Sequence, residues 1–337
     1  MDALLTPAVL VAIAFAISLA TVLLVERYAT TLRLVDRPNL RSSHVQPRPR
    51  GGGLGIVAGA MAAGAATHAF DIHLSSDLFT LLHAALVVAV CGLWDDLQPL
   101  SIWPRLLVQA AAAIAVVGHV GGLPALPLPH PADLPLNTVV GQVLAVLWLV
   151  GVTNFFNFMD GLDGLAAGQA VITLAALTAV TWPQHAAVVA VIVAGAALGF
   201  LVRNWSPAKI FLGDVGSSFL GFLLAGLALM VSVPTRPSLV LLVATSLTLF
   251  LLDPVATLYV RFRRGARLGQ AHREHAYQQY VRPGQRHSVA VGRLLLAAAA
   301  VSVIAVVAYQ RPAWLPLSLA VAVVTFAVEW RLAFRRS

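Results

Sequence analysis

The sequence predicts an all-α integral membrane protein with about eleven transmembrane helices, and three observations carry that prediction. Hydrophobic residues make up 59% of the 337 positions. Charged residues make up only 11%, against roughly 25% in soluble domains, and the mean hydropathy is +0.85. The apolar residues also fall in long runs, on the scale of the roughly 20 residues that a helix needs to cross the hydrocarbon core. In lipid a chain must satisfy its own backbone hydrogen bonds, so such runs read as helices. Soluble globular and disordered classes are excluded. The short connections fit one membrane-embedded domain over 1–337, with a core at 26–288 and two C-terminal helices within 289–330.

In chain order the runs cover 3–25, 51–68, 78–93, 104–122, 137–152, 164–182, 186–203, 217–233, 238–260, 289–309 and 313–330. The first has Asp2 as its only early charge and is longer than a signal-peptide core, so it reads as a span. The second opens on Gly51-Gly52-Gly53, and the third ends on Trp94-Asp95-Asp96. Five prolines between 123 and 136 suit a stiff connector before the fifth. The ninth contains Asp253-Pro254, about 10 Å from its end, where proline is expected to break the helix; the aspartate then shapes a lipid groove or bonds the backbone groups that proline frees. Trp94, Trp103, Trp205 and Trp330 fall at one set of boundaries and Trp182 and Trp314 at the other, as interfacial indoles do. A single cysteine, Cys91, excludes an intrachain disulfide and a thiolate metal cluster.

Alternating the loops between two sides places 20 of the 22 Lys and Arg residues on one side, leaving Arg236 and Arg311 opposite. The positive-inside rule makes the rich side cytoplasmic, with the N-terminus outside and the C-terminus inside. The net charge of +8 thus reads as topology and lipid contact, not as nucleic-acid binding.

The polar residues that need explaining collect in five cytoplasmic segments. The first contains His44 and Arg48-Pro-Arg50 before the three glycines, where arginine forks and an open backbone suit a phosphate, or an ordinary basic flanking loop. The second is the Asp95-Asp96 pair, whose mutual repulsion at a membrane boundary calls for a divalent cation or a proton. In the third, Asn154, Asn157, Asp160 and Asp163 recur every three residues and can present hard oxygen ligands suited to Mg²⁺ or Mn²⁺, or can form a polar turn capping the sixth helix. The fourth runs from Asn204 to Ser218. Phe211 there offers a ring to a flat base or an apolar anchor, and Asp214 between glycines suits a metal or phosphate site or, with Ser217, a helix cap. The fifth holds His272-Arg-Glu-His275 among arginines, better suited to catalysis or phosphate contact than to zinc. Such a set of groups fits the meeting of a dianionic phosphate with a metal-bound diphosphate.

From about Asp36 to Gln278, these five motifs in their order resemble the polyprenyl-phosphate N-acetylhexosamine-1-phosphate transferases, the superfamily of translocase I and of the enzymes that initiate O-antigen and related glycans. The resemblance implies a UDP-linked amino sugar as donor, undecaprenyl phosphate as acceptor, UMP as product and Mg²⁺ as cofactor. It implies a multi-pass enzyme of the bacterial inner membrane with a cytoplasmic active site, in a family whose members are often dimers. Asp95 and Asp96 match the acids near the lipid phosphate, Asp214 the main metal ligand with Asn157 as a second, and Asp160 another active-site acid. Asp163, Asn204 and Phe211 match positions that hold uridine. His272 and His275 match the loop that contacts the sugar-diphosphate end, and Arg50 the phosphate-facing first loop. His44 within Ser42-Ser43-His44, and the His-x-x-His-x-Tyr-Gln form, are similar to the O-antigen-initiating branch more than to translocase I, whose histidine run is denser. Two readings compete from other classes. A transporter would place its acids near the midplane, and a prenyltransferase would repeat Asp-x-x-x-Asp, which Asp95-Asp96-Leu-Gln-Pro-Leu does not supply.

Overall fold

A computed structural model describes residues 5–36, 47–126, 134–230, 238–266, 273–280 and 287–335. His44 and His272 lie outside the described residues. The helices are α1 (Leu5–Tyr28), α2 (Gly53–Ala66), α3 (Ser76–Leu97), α4 (Ile102–Val120), α5 (Thr138–Phe158), α6 (Leu165–Thr181), α7 (His185–Asn204), α8 (Gly213–Leu227), α9 (Leu239–Ser246), α10 (Thr248–Arg263), α11 (Ala276–Gln279), α12 (His287–Gln310) and α13 (Leu315–Ala333). Two short antiparallel pairs join loops, Val35–Asp36 with Arg48–Pro49 and Ala125–Leu126 with Leu134–Pro135. Each run expected from the sequence corresponds to a helix, or a pair, in the same order.

Among the described residues eight helical stretches are long and apolar enough to cross a membrane, and the bent pair α9–α10 makes a ninth. Two of the expected eleven, α6 and α8, have only 17 and 15 residues. The reason is enclosure. Every residue of α8 from Val215 to Leu227 is buried, with α3, α5 and α2 packed around it. A helix wrapped in protein has no need to match the bilayer, and its apolar residues face all directions.

Two local expectations are corrected. The three glycines are all buried and do not present an open backbone. Gly52 and Gly53 donate their N–H groups to the carbonyls of Phe211 and Leu212 at 2.9 and 2.8 Å. A Cβ on Gly53 would lie 2.2 Å from the Cα of Gly216, so these glycines let α2 cross α8 backbone to backbone. The break in the ninth run falls at Leu247, with a 70° bend, while Pro254 lies inside a continuous α10. The bend is held by side chains: Thr248 Oγ1 donates to the Thr245 carbonyl at 2.6 Å, and Gln169 Nε2 of α6 donates to the Ser246 carbonyl at 2.9 Å. Carbonyls released at a kink in lipid need such partners.

Candidate active site

At one end of the bundle, the last turns of α3, α5 and α7 meet the first turn of α8, the start of α4 and the strand before α2. The close approach of α3 to α8 rests on Gly92, where a Cβ would sit 2.4 Å from the Asp214 carbonyl oxygen. Asp96 is thereby set against the exposed N–H groups of α8. Its Oδ1 accepts from Asp214 N at 3.0 Å and its Oδ2 from Val215 N at 3.1 Å, so a carboxylate on another helix caps α8 and meets the positive end of its dipole. Gly213 makes this fit possible: its φ is +76°, and a Cβ would lie 2.5 Å from Asp96 Oδ2.

The repulsion between the adjacent acids is offset by two arginines. Arg50 Nη2 lies 2.9 Å from Asp96 Oδ1 and donates to the Asp95 carbonyl at 3.1 Å. Arg105 Nη1 lies 2.7 Å from Asp95 Oδ2 and 3.3 Å from Asp214 Oδ2, bridging two carboxylates 119 positions apart in sequence numbering. Asp95 Oδ1 accepts from Leu100 N at 2.5 Å, which fixes the turn between α3 and α4. On the other side of Asp214, Asn157 Nδ2 donates to its Oδ1 at 3.1 Å and to Ser217 Oγ at 2.8 Å. The structure therefore joins Asp95, Asp96, Asn157, Asp214 and Arg50 in one network.

The neighbouring sites expected from the sequence surround this network. Asp160 follows α5. Burial, together with the carboxylates of Asp96 and Asp163, pushes its acid up to about 8. Asn154 Nδ2 is taken by Gln109 Oε1 at 2.6 Å and the Val150 carbonyl at 2.7 Å. Asp163 Oδ2 accepts from Ala208 N at 3.0 Å, and Arg48 Nη1 donates to the Ala208 carbonyl at 2.6 Å. Asn204 is buried, accepts from Gly164 N and donates to the Ile210 carbonyl, each at 2.9 Å. Asp163 and Asn204 thus brace the 205–211 loop against the turn before α6. Phe211 is half-buried beside them, its backbone N–H donating to Pro49 O at 2.9 Å.

The histidine segment docks on the same end. His275 is buried, its ring 6.4 Å from that of Phe158. Tyr277 donates its hydroxyl to the Phe158 carbonyl at 2.9 Å and lies over Gly161, where a Cβ would meet that oxygen at 2.3 Å. Burial, with Asp253 and Asp160 nearby, raises the Tyr277 hydroxyl well above its ordinary range, so it stays a donor. Asp253 accepts the N–H groups of Ala276 and Tyr277 at 3.1 and 2.9 Å, so the backbone groups it bonds belong to the histidine segment and not to its own helix.

Sequence reasoning missed Arg105, Gln109 and Tyr277. Arg105 had a usable signal, a cation at the first turn of the helix after the acid pair. Gln109, one turn further along the same face, had only its polarity in an apolar run. Among the described residues no three His, Cys, Asp or Glu side chains gather as a metal cage. The oxygen-bearing pair of Asp214 and Asn157 is a smaller donor set, of the kind a cation uses when substrate phosphates and waters complete its shell.

The glycosyl transferase family 4 model matches residues 78–232. The chain is 30% identical over 330 residues to a probable undecaprenyl-phosphate N-acetylglucosaminyl 1-phosphate transferase of Bacillus subtilis, covering 94% of this chain and 90% of that protein. It is 31% identical over 293 residues to the decaprenyl-phosphate N-acetylglucosaminephosphotransferase of Mycobacterium leprae, covering 77% and 73%. A phospho-N-acetylmuramoyl-pentapeptide-transferase of Enterococcus hirae is 34% identical over 168 residues, covering 46% of this chain and 52% of that protein.

Proposed function

The chain belongs to glycosyl transferase family 4, the polyprenyl-phosphate hexosamine-1-phosphate transferase superfamily, and from that premise we propose that it transfers an N-acetylhexosamine 1-phosphate from a UDP-sugar to undecaprenyl phosphate, releasing UMP and starting a cell-surface glycan of the O-antigen type. The observation that carries this reading is the convergence of Asp95, Asp96 and Asp214 with Arg50 and Arg105 at one end of an otherwise apolar bundle. Binding two polyanions beside a bilayer requires fixed cations, and acids to organise them, at a single face.

In the proposed reaction an oxygen of the lipid phosphate attacks the sugar-side phosphorus of the donor. The bond from that phosphorus to the bridging oxygen breaks, and UMP leaves with the oxygen. Asp214 and Asn157 are the residues that would hold Mg²⁺ or Mn²⁺, which when bound there supplies charge neutralisation for the diphosphate. Arg50 and Arg105 orient anionic oxygens, Asp95 takes the proton of an acceptor phosphate that arrives singly protonated, and Asp160, whose carboxyl keeps its own proton at neutral pH, serves as a hydrogen-bond donor. Asp96, with both oxygens engaged on α8, holds Asp214 in place. Phe211 stacks on uracil, and Asp163 and Asn204 hold the loop that carries it. His275, with His272 and His44 from outside the described residues, contacts the sugar-diphosphate end. The enzyme sits in the bacterial inner membrane with this face in the cytoplasm.

UDP-N-acetylglucosamine is the first donor to test, because the two relatives matched over most of their length are N-acetylglucosamine-1-phosphate transferases by name. A muramoyl-pentapeptide donor is the second, supported by a match over about half of the chain. The test is UMP release by purified protein across a panel of UDP-sugars, with and without undecaprenyl phosphate and Mg²⁺. Release that needs both lipid and metal, and that falls at least 100-fold in Asp214→Asn, supports the reading. Solute movement by reconstituted protein without UMP would replace it with a transporter.

A further inference from the structure

The Asp253 carboxylate is buried, 3% exposed, in the middle of α10, and four polar groups converge on it. Thr257 Oγ1 reaches its Oδ1 at 2.9 Å, one turn along the same helix. The N–H of Ala276 reaches Oδ1 at 3.1 Å and that of Tyr277 reaches Oδ2 at 2.9 Å, so the acid caps the short helix α11. The fourth contact is a side chain, His275 Nδ1 at 3.2 Å from Oδ1. Thr257 Oγ1 and the two backbone N–H groups all donate to this carboxylate, and a carboxylate that only accepts pairs with a ring nitrogen that carries a proton. A neutral His275 then has its proton on Nδ1, and Nε2 is the nitrogen turned away from Asp253.

The same contacts fix where the ring stands. Tyr277, two residues on, is pinned to the Phe158 carbonyl and over Gly161, so the segment lies against the turn from Asn157 to Asp163. At its other end Tyr280 donates to Glu329 of α13, which also pairs with Arg293 of α12 at 3.3 Å. Two buried acids from different helices hold the segment, but only Asp253 touches the imidazole.

We propose that Asp253 is a positioning residue that fixes both the orientation and the tautomer of His275, whose role at the sugar-diphosphate end belongs to the transferase reading above. A carboxylate behind an imidazole sets which ring nitrogen carries the proton and keeps the ring from turning. The kinetic part rests on the transferase reading above; the tautomer part does not. In full-length protein with ¹⁵N-labelled histidine, assigned by loss of signal in His275→Gln, the neutral ring at alkaline pH is expected to show a protonated Nδ1 and a bare Nε2. A proton on Nε2 in the wild-type ring overturns the proposal, and this measurement needs no turnover. In Asp253→Asn the fixed tautomer is lost, and kcat falls about 10- to 100-fold with a smaller change in KM for the UDP-sugar. In a His275→Gln background the same substitution costs less than about 2-fold, because the two residues act as one unit. Losses that multiply in the double variant would assign Asp253 a purely structural role. If no variant turns over any UDP-sugar, the transferase reading fails while the tautomer still decides this one.

Discussion

Arg105→Gln tests the electrostatic balance of the site. The guanidinium makes contacts of 2.7 Å to Asp95 and 3.3 Å to Asp214, with side-chain exposures of 23%, 11% and 29% for Arg105, Asp95 and Asp214. A hydrogen bond to a charged group contributes about 1.5–3 kcal/mol when buried, and partial exposure discounts it. The short contact is then worth about 1.5 kcal/mol and the long one less, roughly 2 kcal/mol together. Glutamine keeps some packing and removes the charge, leaving Asp95 and Asp214 with no cation between them. A loss of that size lowers the melting temperature by several degrees. The deficit is specific in kind: a divalent ion on Asp214 offsets the same repulsion. Purified wild-type and variant protein would be melted in detergent, followed by tryptophan fluorescence, in EDTA and in millimolar Mg²⁺. The variant is expected to melt lower in EDTA and to recover part of the difference in Mg²⁺. Equal melting in EDTA, or a gap that Mg²⁺ leaves unchanged, would refute both the bridging role of Arg105 and the assignment of the metal to Asp214.

Three further outcomes follow from the same geometry. Asp96→Ala removes both acceptors that cap α8 and should destabilise the fold by about 1–2 kcal/mol or more, with Asp96→Asn milder because one acceptor survives; identical melting of all three proteins would contradict the cap. Asp160 is held at about 8 in the folded chain against about 4 when unfolded, so the folded state binds the extra proton between those values. Wild-type stability relative to Asp160→Asn should therefore fall as pH rises from about 5 to about 8 and level off above, and a flat difference across that window would show that Asp160 is not so buried. Phe211→Leu should raise KM for the UDP-sugar about tenfold, from lost base stacking, with little change for undecaprenyl phosphate; equal losses for both would mark Phe211 as packing.

Much of this was legible in the sequence because membrane proteins write their constraints plainly. Each apolar run has its helix, since lipid leaves a spanning backbone no alternative. Asp95, Asp96, Asn157, Asp160 and Asp214 stood out because acids and amides at a bilayer boundary are costly without a purpose. What sequence could not carry were pairings across long separations. The cap of α8 by Asp96 joins residues 118 and 119 positions apart, and Arg105 finds Asp214 109 positions away. Local rules misled at two places. Three glycines signal an open loop as readily as a close helix crossing, and only the facing Gly216 decides between them. Asp253-Pro254 looked like a helix breaker, yet the bend belongs to Leu247, where Gln169 of another helix takes up a released carbonyl.

The most direct measurement follows the phosphorus. UDP-N-acetylglucosamine carrying ³²P only at the sugar-side phosphate would be incubated with purified protein, Mg²⁺ and undecaprenyl phosphate, and lipid and nucleotide separated. Label recovered in the lipid, with unlabelled UMP formed in equal amount, is the predicted result. Label left in UDP, with unlabelled sugar on the lipid, would mean that the sugar alone moves and that the acids and arginines gathered around Asp214 serve a different reaction.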